Sequence, residues 1–89
     1  MVVSATVTLL NKVGLHARPA ALFVQTAKKF KCEIRVRKGD TEANAKSILD
    51  VLSLGAEQGD EITIEAEGED EEKALKTLVD LVNNKFGEE

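Results

Sequence analysis

The chain contains one histidine, His16, in the segment Gly-Leu-His-Ala-Arg-Pro over residues 14–19. Imidazole titrates near neutrality, so much of it is uncharged at pH 7 and offers a lone pair that can attack phosphorus. Two residues later, Arg18 carries a planar guanidinium that can pair with phosphoryl oxygens during transfer. These residue types at this spacing favour a phosphohistidine carrier, in which a phosphoryl group is held on one ring nitrogen and then passed on.

The residues on either side of His16 predict its position in the fold. Gly14 fits a turn, and Pro19 is tolerated in the first turn of a helix, so His16 is predicted at or next to the N-cap. At that point the free N–H groups of Ala17 and Arg18 face outward at the positive end of the helix dipole, and we expect them to bind phosphate. Taken singly, each of these residues is more often an ordinary surface or capping residue, and only their combination indicates phosphoryl transfer.

A second helix is predicted to begin at Ser47, and it carries two further candidate features. A serine at an N-cap needs no other role, but a phosphate added there would change the charge of the surrounding surface, so Ser47 is also a candidate regulatory phosphorylation site. Ile48, Leu49 and Leu52 are too many apolar side chains for so short a helix to bury completely. We predict that some of them dock a partner, although core filling is the commoner use of this spacing.

Charge is distributed unevenly along the chain. Residues 1–38 carry eight Lys and Arg against one acid, a balance of +7, whereas residues 39–89 carry four against fifteen, a balance of −11. This division favours an anionic ligand or an acidic partner at the first half, although solvated faces alone would also explain it. The net charge of −4, with three Phe and no Trp or Tyr, argues against binding of nucleic acid.

Length and composition limit the remaining possibilities. Eighty-nine residues are enough for one small domain over residues 1–89 with a single core. The only cysteine, Cys32, cannot form an internal disulfide, and one Cys with one His cannot make a metal-binding set, so no metal and no other cofactor is expected. Cys32 is predicted to be a buried small hydrophobe. The sequence shows neither a leader pattern nor an apolar run of about 18 residues, so we expect a cytoplasmic protein without membrane insertion.

Hydrophobic periodicity predicts the elements that must position these residues. Strands are predicted over 3–9, 32–37, 41–45 and 62–67, and helices from the Pro19 turn to about residue 29, from Ser47 to Gly55, and over 69–86. Because each strand shows only one apolar face, the strands should form an antiparallel sheet with the helices packed on one side. The sequence therefore predicts a two-layer α+β fold.

With these motifs the chain resembles the HPr family, the histidine-containing phosphocarrier proteins of the bacterial phosphoenolpyruvate-dependent sugar phosphotransferase system. The resemblance covers essentially the whole chain, and it is carried by residues 14–21 (Gly-Leu-His-Ala-Arg-Pro-Ala-Ala), 44–49 (Asn-Ala-Lys-Ser-Ile-Leu), 53–55 and 66–70. It implies an open-faced sandwich of element order βαββαβα. In that fold a four-stranded antiparallel sheet of order 1-4-2-3 has three helices on one face.

The resemblance also implies a carrier without turnover of its own. His16 would accept a phosphoryl group through Nδ1 from phosphorylated enzyme I and donate it to the enzyme IIA domains of sugar permeases, with Arg18 beside the phosphate. Ser47 matches the serine that an HPr kinase/phosphorylase modifies in Gram-positive and related bacteria, giving a form that works with a catabolite-control repressor. A monomer is expected.

One residue departs from the family pattern. Asp50 stands where family members typically carry glycine or a basic residue, three positions after Ser47. We expect this carboxylate to oppose a phosphate at Ser47 by like-charge repulsion and to weaken docking of acidic partners.

Two other classes of function compete with the carrier. The first is a non-catalytic regulatory module that acts through the second-helix face while His16 is idle. The second is a small RNA-binding domain, which would need exposed aromatic or basic residues on its sheet. Because the few Phe residues are needed for the core, the RNA-binding class ranks last.

Overall fold

The computed structural model describes residues 1–88, so Glu89, the last residue of the predicted domain 1–89, lies outside the described residues. The elements in chain order are β1 (Val2–Thr8), α1 (Ala17–Ala27), β2 (Glu33–Lys38), β3 (Thr41–Asn44), α2 (Ile48–Ser53), β4 (Glu61–Glu67), α3 (Glu71–Asn83) and a 3-10 turn (Lys85–Gly87). The predicted order βαββαβα is confirmed.

The four strands form one antiparallel sheet in the order β1-β4-β2-β3, as the resemblance implies. Its register aligns one row of inward side chains across all four strands, since Ile64 pairs with both Ala5 and Val36, and Val36 pairs with Ala43. Side chains alternate between the two faces of a strand, so the neighbours of this row point to the opposite face. The register therefore gives the sheet one apolar and one polar face.

The three helices cover the apolar face. Helix α3 packs against β1 and β4, and α1 contacts both α2 and α3. Phe23 of α1, Val51 of α2 and Leu78 of α3 are fully buried in the core between the layers. No helix within residues 1–88 is long and apolar enough to cross a bilayer.

The opposite face of the sheet is polar and carries a network of ion pairs. Glu65 of β4 pairs with Arg37 at 3.0 Å and with Arg35 at 3.4 Å, and Arg35 also contacts Glu67 at 3.4 Å. The hydrogen bond from Arg37, followed by the one from Arg35, lowers the pKa of Glu65 below its ordinary value. Covering this face with a helix would remove its charged groups from water, which is unfavourable. The helices therefore cover only the apolar side of the sheet.

All three helices end before the predicted residue, and α2 ends at Ser53 instead of Gly55. Helix α1 ends at Ala27 instead of residue 29, because the amides of Lys29 and Phe30 bond three residues back and tighten the chain into turns. Helix α3 ends at Asn83, and Phe86 lies in the 3-10 turn beyond it with a φ of 55°. Such left-handed backbone costs about 1–2 kcal/mol for a residue with a Cβ, which is comparable with the stabilisation of about 1.5–3 kcal/mol from burying a Phe side chain.

Asp70, at the N-cap of α3, ties the start of that helix to the start of β2. Its carboxylate accepts hydrogen bonds at 3.0 Å from the backbone N–H groups of Lys31 and Cys32. The bond from Lys31, with those from Cys32, lowers the pKa of Asp70 to about 2. Cys32 is buried as predicted, and burial, with Asp70 beside it, raises the pKa of its thiol to about 11.

These contacts predict a pH-dependent contribution of Asp70 to stability. An unfolded Asp has a pKa of about 3.9, so the contribution is complete above that pH and is lost as the pH falls toward about 2. We expect Asp70→Asn to lower the urea midpoint of unfolding at pH 7 and to unfold like the original chain at pH 2.

Asp40→Asn, the same charge change in the exposed turn after β2, is the matched control and should leave the midpoint unchanged. A stability difference between Asp70→Asn and the original chain that stayed constant from pH 7 to pH 2 would contradict this prediction.

Candidate functional site

His16 lies where the sequence predicts it, at the N-cap of α1. Its backbone is extended, with φ −81° and ψ −173°, and its carbonyl accepts the first helical hydrogen bond from the amide of Ala20 at 2.8 Å. Its side chain is exposed and makes no capping hydrogen bond to the described residues. The fold therefore uses the backbone of His16 and leaves the imidazole available.

Two backbone amides beside the imidazole are also unused. Within residues 1–88, the N–H groups of Ala17 and Arg18 have no hydrogen-bond acceptor, and Pro19 has no N–H to compete with them. The Arg18 side chain is exposed on the same turn. An anion bound at this end of the eleven-residue helix would therefore meet two amide donors and the positive end of the dipole, whereas the Arg18 side chain lines a separate depression with Pro19, Leu22 and Phe86.

The loop before His16 is held by a close backbone approach at Gly14. Gly14 has a φ of +61°, and a Cβ at this position would lie 2.6 Å from the carbonyl oxygen of Ala56 and 2.6 Å from the Cα of Glu57. The next amide, that of Leu15, donates to the same Ala56 carbonyl at 2.9 Å. Only glycine combines an easily adopted positive φ with the absence of a Cβ. The backbone at residues 56–57 therefore fixes where the chain turns toward His16.

Asn11 is a residue that the sequence analysis missed. Its side chain is only 1% exposed, and its Nδ2 donates to the carbonyl of Gly14 at 2.9 Å, while the Gly14 amide donates back to the Asn11 carbonyl at 3.2 Å. An asparagine in a predicted turn is ordinarily exposed, and no local pattern distinguishes a buried one. Asn11 therefore stabilises the turn in addition to the backbone at residues 56–57.

Helix α2 borders the histidine through Leu52. A depression of about 200 Å³ beside the imidazole is lined by Leu15, His16, Ala17, Leu52, Gly55, Ala56 and Glu57. The predicted docking residues are partly exposed on one face of α2, with 37% of Ile48, 76% of Leu49 and 38% of Leu52 accessible. We call these three residues the α2 apolar face.

Ser47 caps α2 at the end away from Leu52. Its Oγ accepts a hydrogen bond from the amide of Asp50 at 3.4 Å, whereas the Asp50 carboxylate accepts from the amide of Asn44 at 3.3 Å and not from Ser47. The reciprocal pair of hydrogen bonds of a capping box is therefore only half formed, because the short Asp50 side chain bonds outside the helix. Five residues of helix place Ser47 about 8 Å from Leu52 along the axis, outside the His16 site.

Comparison with known proteins identifies the family. Residues 3–84 match the family described as the PTS HPr component phosphorylation site. The phosphocarrier protein HPr of Neisseria meningitidis serogroup A is 45% identical over 83 residues, which are 93% of each chain.

Solved structures agree with this match. HPr from Thermoanaerobacter tengcongensis superimposes with a TM-score of 0.95 at 56% identity, covering 98% of each chain. Crh, the Bacillus subtilis catabolite repression protein, which forms a domain-swapped dimer, gives a TM-score of 0.76 at 44% identity over 89% of this chain and 91% of its own. The chain therefore belongs to the HPr family of the phosphotransferase system, whose members carry phosphoryl groups and are not stand-alone enzymes.

Proposed function

We propose that the chain accepts a phosphoryl group on His16 from phosphorylated enzyme I and passes it to enzyme IIA domains, in support of sugar uptake and phosphorylation. The observation that carries this proposal is the exposed imidazole at the N-cap of α1, beside the unoccupied amides of Ala17 and Arg18. Membership of the HPr family supports the same direction of transfer.

The transfer step follows from the groups at the site. The lone pair of one His16 ring nitrogen, Nδ1 by resemblance, attacks the phosphorus of the phosphoryl group carried by enzyme I. The new N–P bond forms as the bond from phosphorus to the donor group breaks, and the electron pair of the broken bond returns to that donor group. The amides of Ala17 and Arg18 donate to the phosphoryl oxygens, and the Arg18 guanidinium balances their charge during transfer.

This mechanism predicts a single phosphoryl group whose linkage identifies its site. After incubation with enzyme I and phosphoenolpyruvate, we expect one acid-labile, alkali-stable phosphoryl group per chain, which His16→Ala abolishes. Arg18→Ala keeps the imidazole and should slow labelling on the order of 100-fold. Its thermal midpoint should not change, because the Arg18 side chain is exposed.

Labelling also separates the carrier from the alternative regulatory module. A chain that takes no acid-labile phosphate from enzyme I, while remaining folded by circular dichroism, would show that His16 is idle. A large loss of thermal stability in Arg18→Ala would contradict the placement of this side chain in solvent.

We also propose that enzyme I and enzyme IIA dock on the α2 apolar face. Leu52 borders the His16 depression, and Ile48 lines a second depression with Ala21 and Gln25 of α1 and with Lys28, the residue that follows α1. The exposed apolar surface thus reaches the side chains around His16 and has the cation of Lys28 at its border. Such a surface suits a partner with an apolar patch inside an acidic rim.

If partners dock on this face, a substitution there should weaken binding and leave the rate of the chemical step unchanged. For Leu49→Ala, we expect the chain concentration that gives half the maximal rate of transfer from enzyme I to rise about tenfold, while the maximal rate stays the same. Raising the salt concentration should slow encounter with the original chain.

Val2→Ala is the matched control, because Val2 is also exposed but lies at the start of β1, paired with Glu67. An equal effect of Val2→Ala and Leu49→Ala would contradict docking at the α2 apolar face, and a rate that does not depend on salt would contradict a docking surface in the basic first half of the chain.

A second proposed role concerns regulation through Ser47. Ser47 is half-buried at the N-cap of α2, next to the α2 apolar face, and Crh, a catabolite repression protein, has a similar fold. We propose that an HPr kinase/phosphorylase phosphorylates Ser47 and that the product binds a catabolite-control repressor. The amide of Asp50 donates a hydrogen bond to Ser47 Oγ, and the carboxylate of the same residue repels the added phosphate and slows the reaction.

This role predicts an acid-stable phosphate that depends on charge at residue 50. With ATP and an HPr kinase, we expect slow labelling that Ser47→Ala abolishes and that Asp50→Asn accelerates, with Asp40→Asn as the control. If no chain is labelled, the regulatory role is wrong, and equal rates for Asp50→Asn and the original chain would contradict the repulsion.

A further inference from the structure

The chain beyond α3 folds back toward residues 9–16, which connect β1 to α1 and which we call the His16 loop. We call Asn84–Glu88 the C-terminal strap. Three consecutive residues in it have left-handed backbone, with φ of 56° at Lys85, 55° at Phe86 and 78° at Gly87. Phe86 is nevertheless 6% exposed, and turn bonds from Gly87 to Asn84 at 3.0 Å and from Glu88 to Lys85 at 2.9 Å close the strap. Two residues with a Cβ keep this conformation only where their surroundings require it.

The strap contacts the His16 loop through one buried amide nitrogen. Asn11 Nδ2 donates to Glu88 Oε1 at 3.1 Å and to the Gly14 carbonyl at 2.9 Å. The Oδ1 of the same amide is buried and has no hydrogen-bond partner within residues 1–88. The position of the Asn11 side chain therefore depends on its two donated bonds, one to the strap and one to the loop.

The same strap also lies beside Arg18. A depression of about 280 Å³ is lined by Arg18, Pro19, Leu22, Phe86 and Glu88, among others. The strap thus contacts the chain on both sides of His16, at Asn11 before it and along α1 after it. The phosphoryl-transfer step described above makes no use of either contact.

We propose that the C-terminal strap positions the His16 loop for phosphoryl transfer, an inference that rests on the proposed function of His16. Phe86 anchors the strap on α1, Glu88 holds the Asn11 amide, and that amide holds the Gly14 carbonyl two residues before His16. Because a carboxylate is a strong acceptor, the bond limits the motion of the turn that presents the amides of Ala17 and Arg18. Glu88 is a positioning residue, since it acts through Asn11.

Two substitutions at Glu88 separate the hydrogen bond from the charge. Glu88→Ala removes the acceptor, and Glu88→Gln keeps an oxygen that can accept from Asn11. We expect Glu88→Ala to lower the maximal rate of transfer from enzyme I about tenfold without changing the half-saturating concentration, and to shift the amide NMR signals of Ala17 and Arg18. Glu88→Gln should restore most of the rate and both signals.

Glu69→Ala, the same charge change in the exposed turn at the other end of α3, is the control and should behave like the original chain. Glu88→Ala with the original rate and unshifted amide signals would overturn the positioning role. So would a Glu88→Gln variant as slow as Glu88→Ala, because charge and not the hydrogen bond would then control the rate. If the original chain itself takes no phosphate on His16, the proposed function fails instead.

Discussion

The close approach of Gly14 to the backbone at residues 56–57 is the constraint on which the candidate site depends. The approach leaves no room for a Cβ, and it brings the Leu15 amide onto the Ala56 carbonyl. The chain therefore turns at one fixed place before α1 begins. Because the carbonyl of His16 then accepts the first helical bond, the helix starts where its N-terminal amides face solvent and the histidine side chain lies beside them. A side chain at residue 14 would move all of these groups together.

Under the proposed function, the carrier has to meet its partners with the reacting atom of His16 exposed, and this requirement would explain why His16 contributes little to the core. The residues that hold the site act through backbone or through buried side chains one step away, such as Asn11 and Leu15. The groups proposed to contact the phosphate are held in place by helix geometry, so they need no further hydrogen bonds within the fold. A phosphoryl group can then arrive and leave without breaking contacts that stabilise the fold.

The features that could be predicted from the sequence have local signals. The start of α1 follows from Gly14 and Pro19, the cap of α2 from Ser47, and the strands from alternation within four to seven residues. The strand order follows only from resemblance to a family. The buried Asn11 could not be predicted, because its partner Glu88 is 77 positions away. The helical spacing between Val82 and Phe86 predicts that Phe86 lies on α3. Periodicity indicates that a residue is buried, but it does not indicate whether the helix has already ended.

Under the proposed function, helix α2 and its N-cap serve two roles at separate places on the helix. Only Val51 enters the core, so the opposite side remains as the α2 apolar face. Leu52 reaches the His16 depression at one end of the helix, and Ser47 caps the other end. Under the proposed function, a phosphate at Ser47 would leave the amides of Ala17 and Arg18 undisturbed, and yet any partner that covers the face would meet its charge. Regulation would then act on docking, while the geometry of transfer at His16 stays the same.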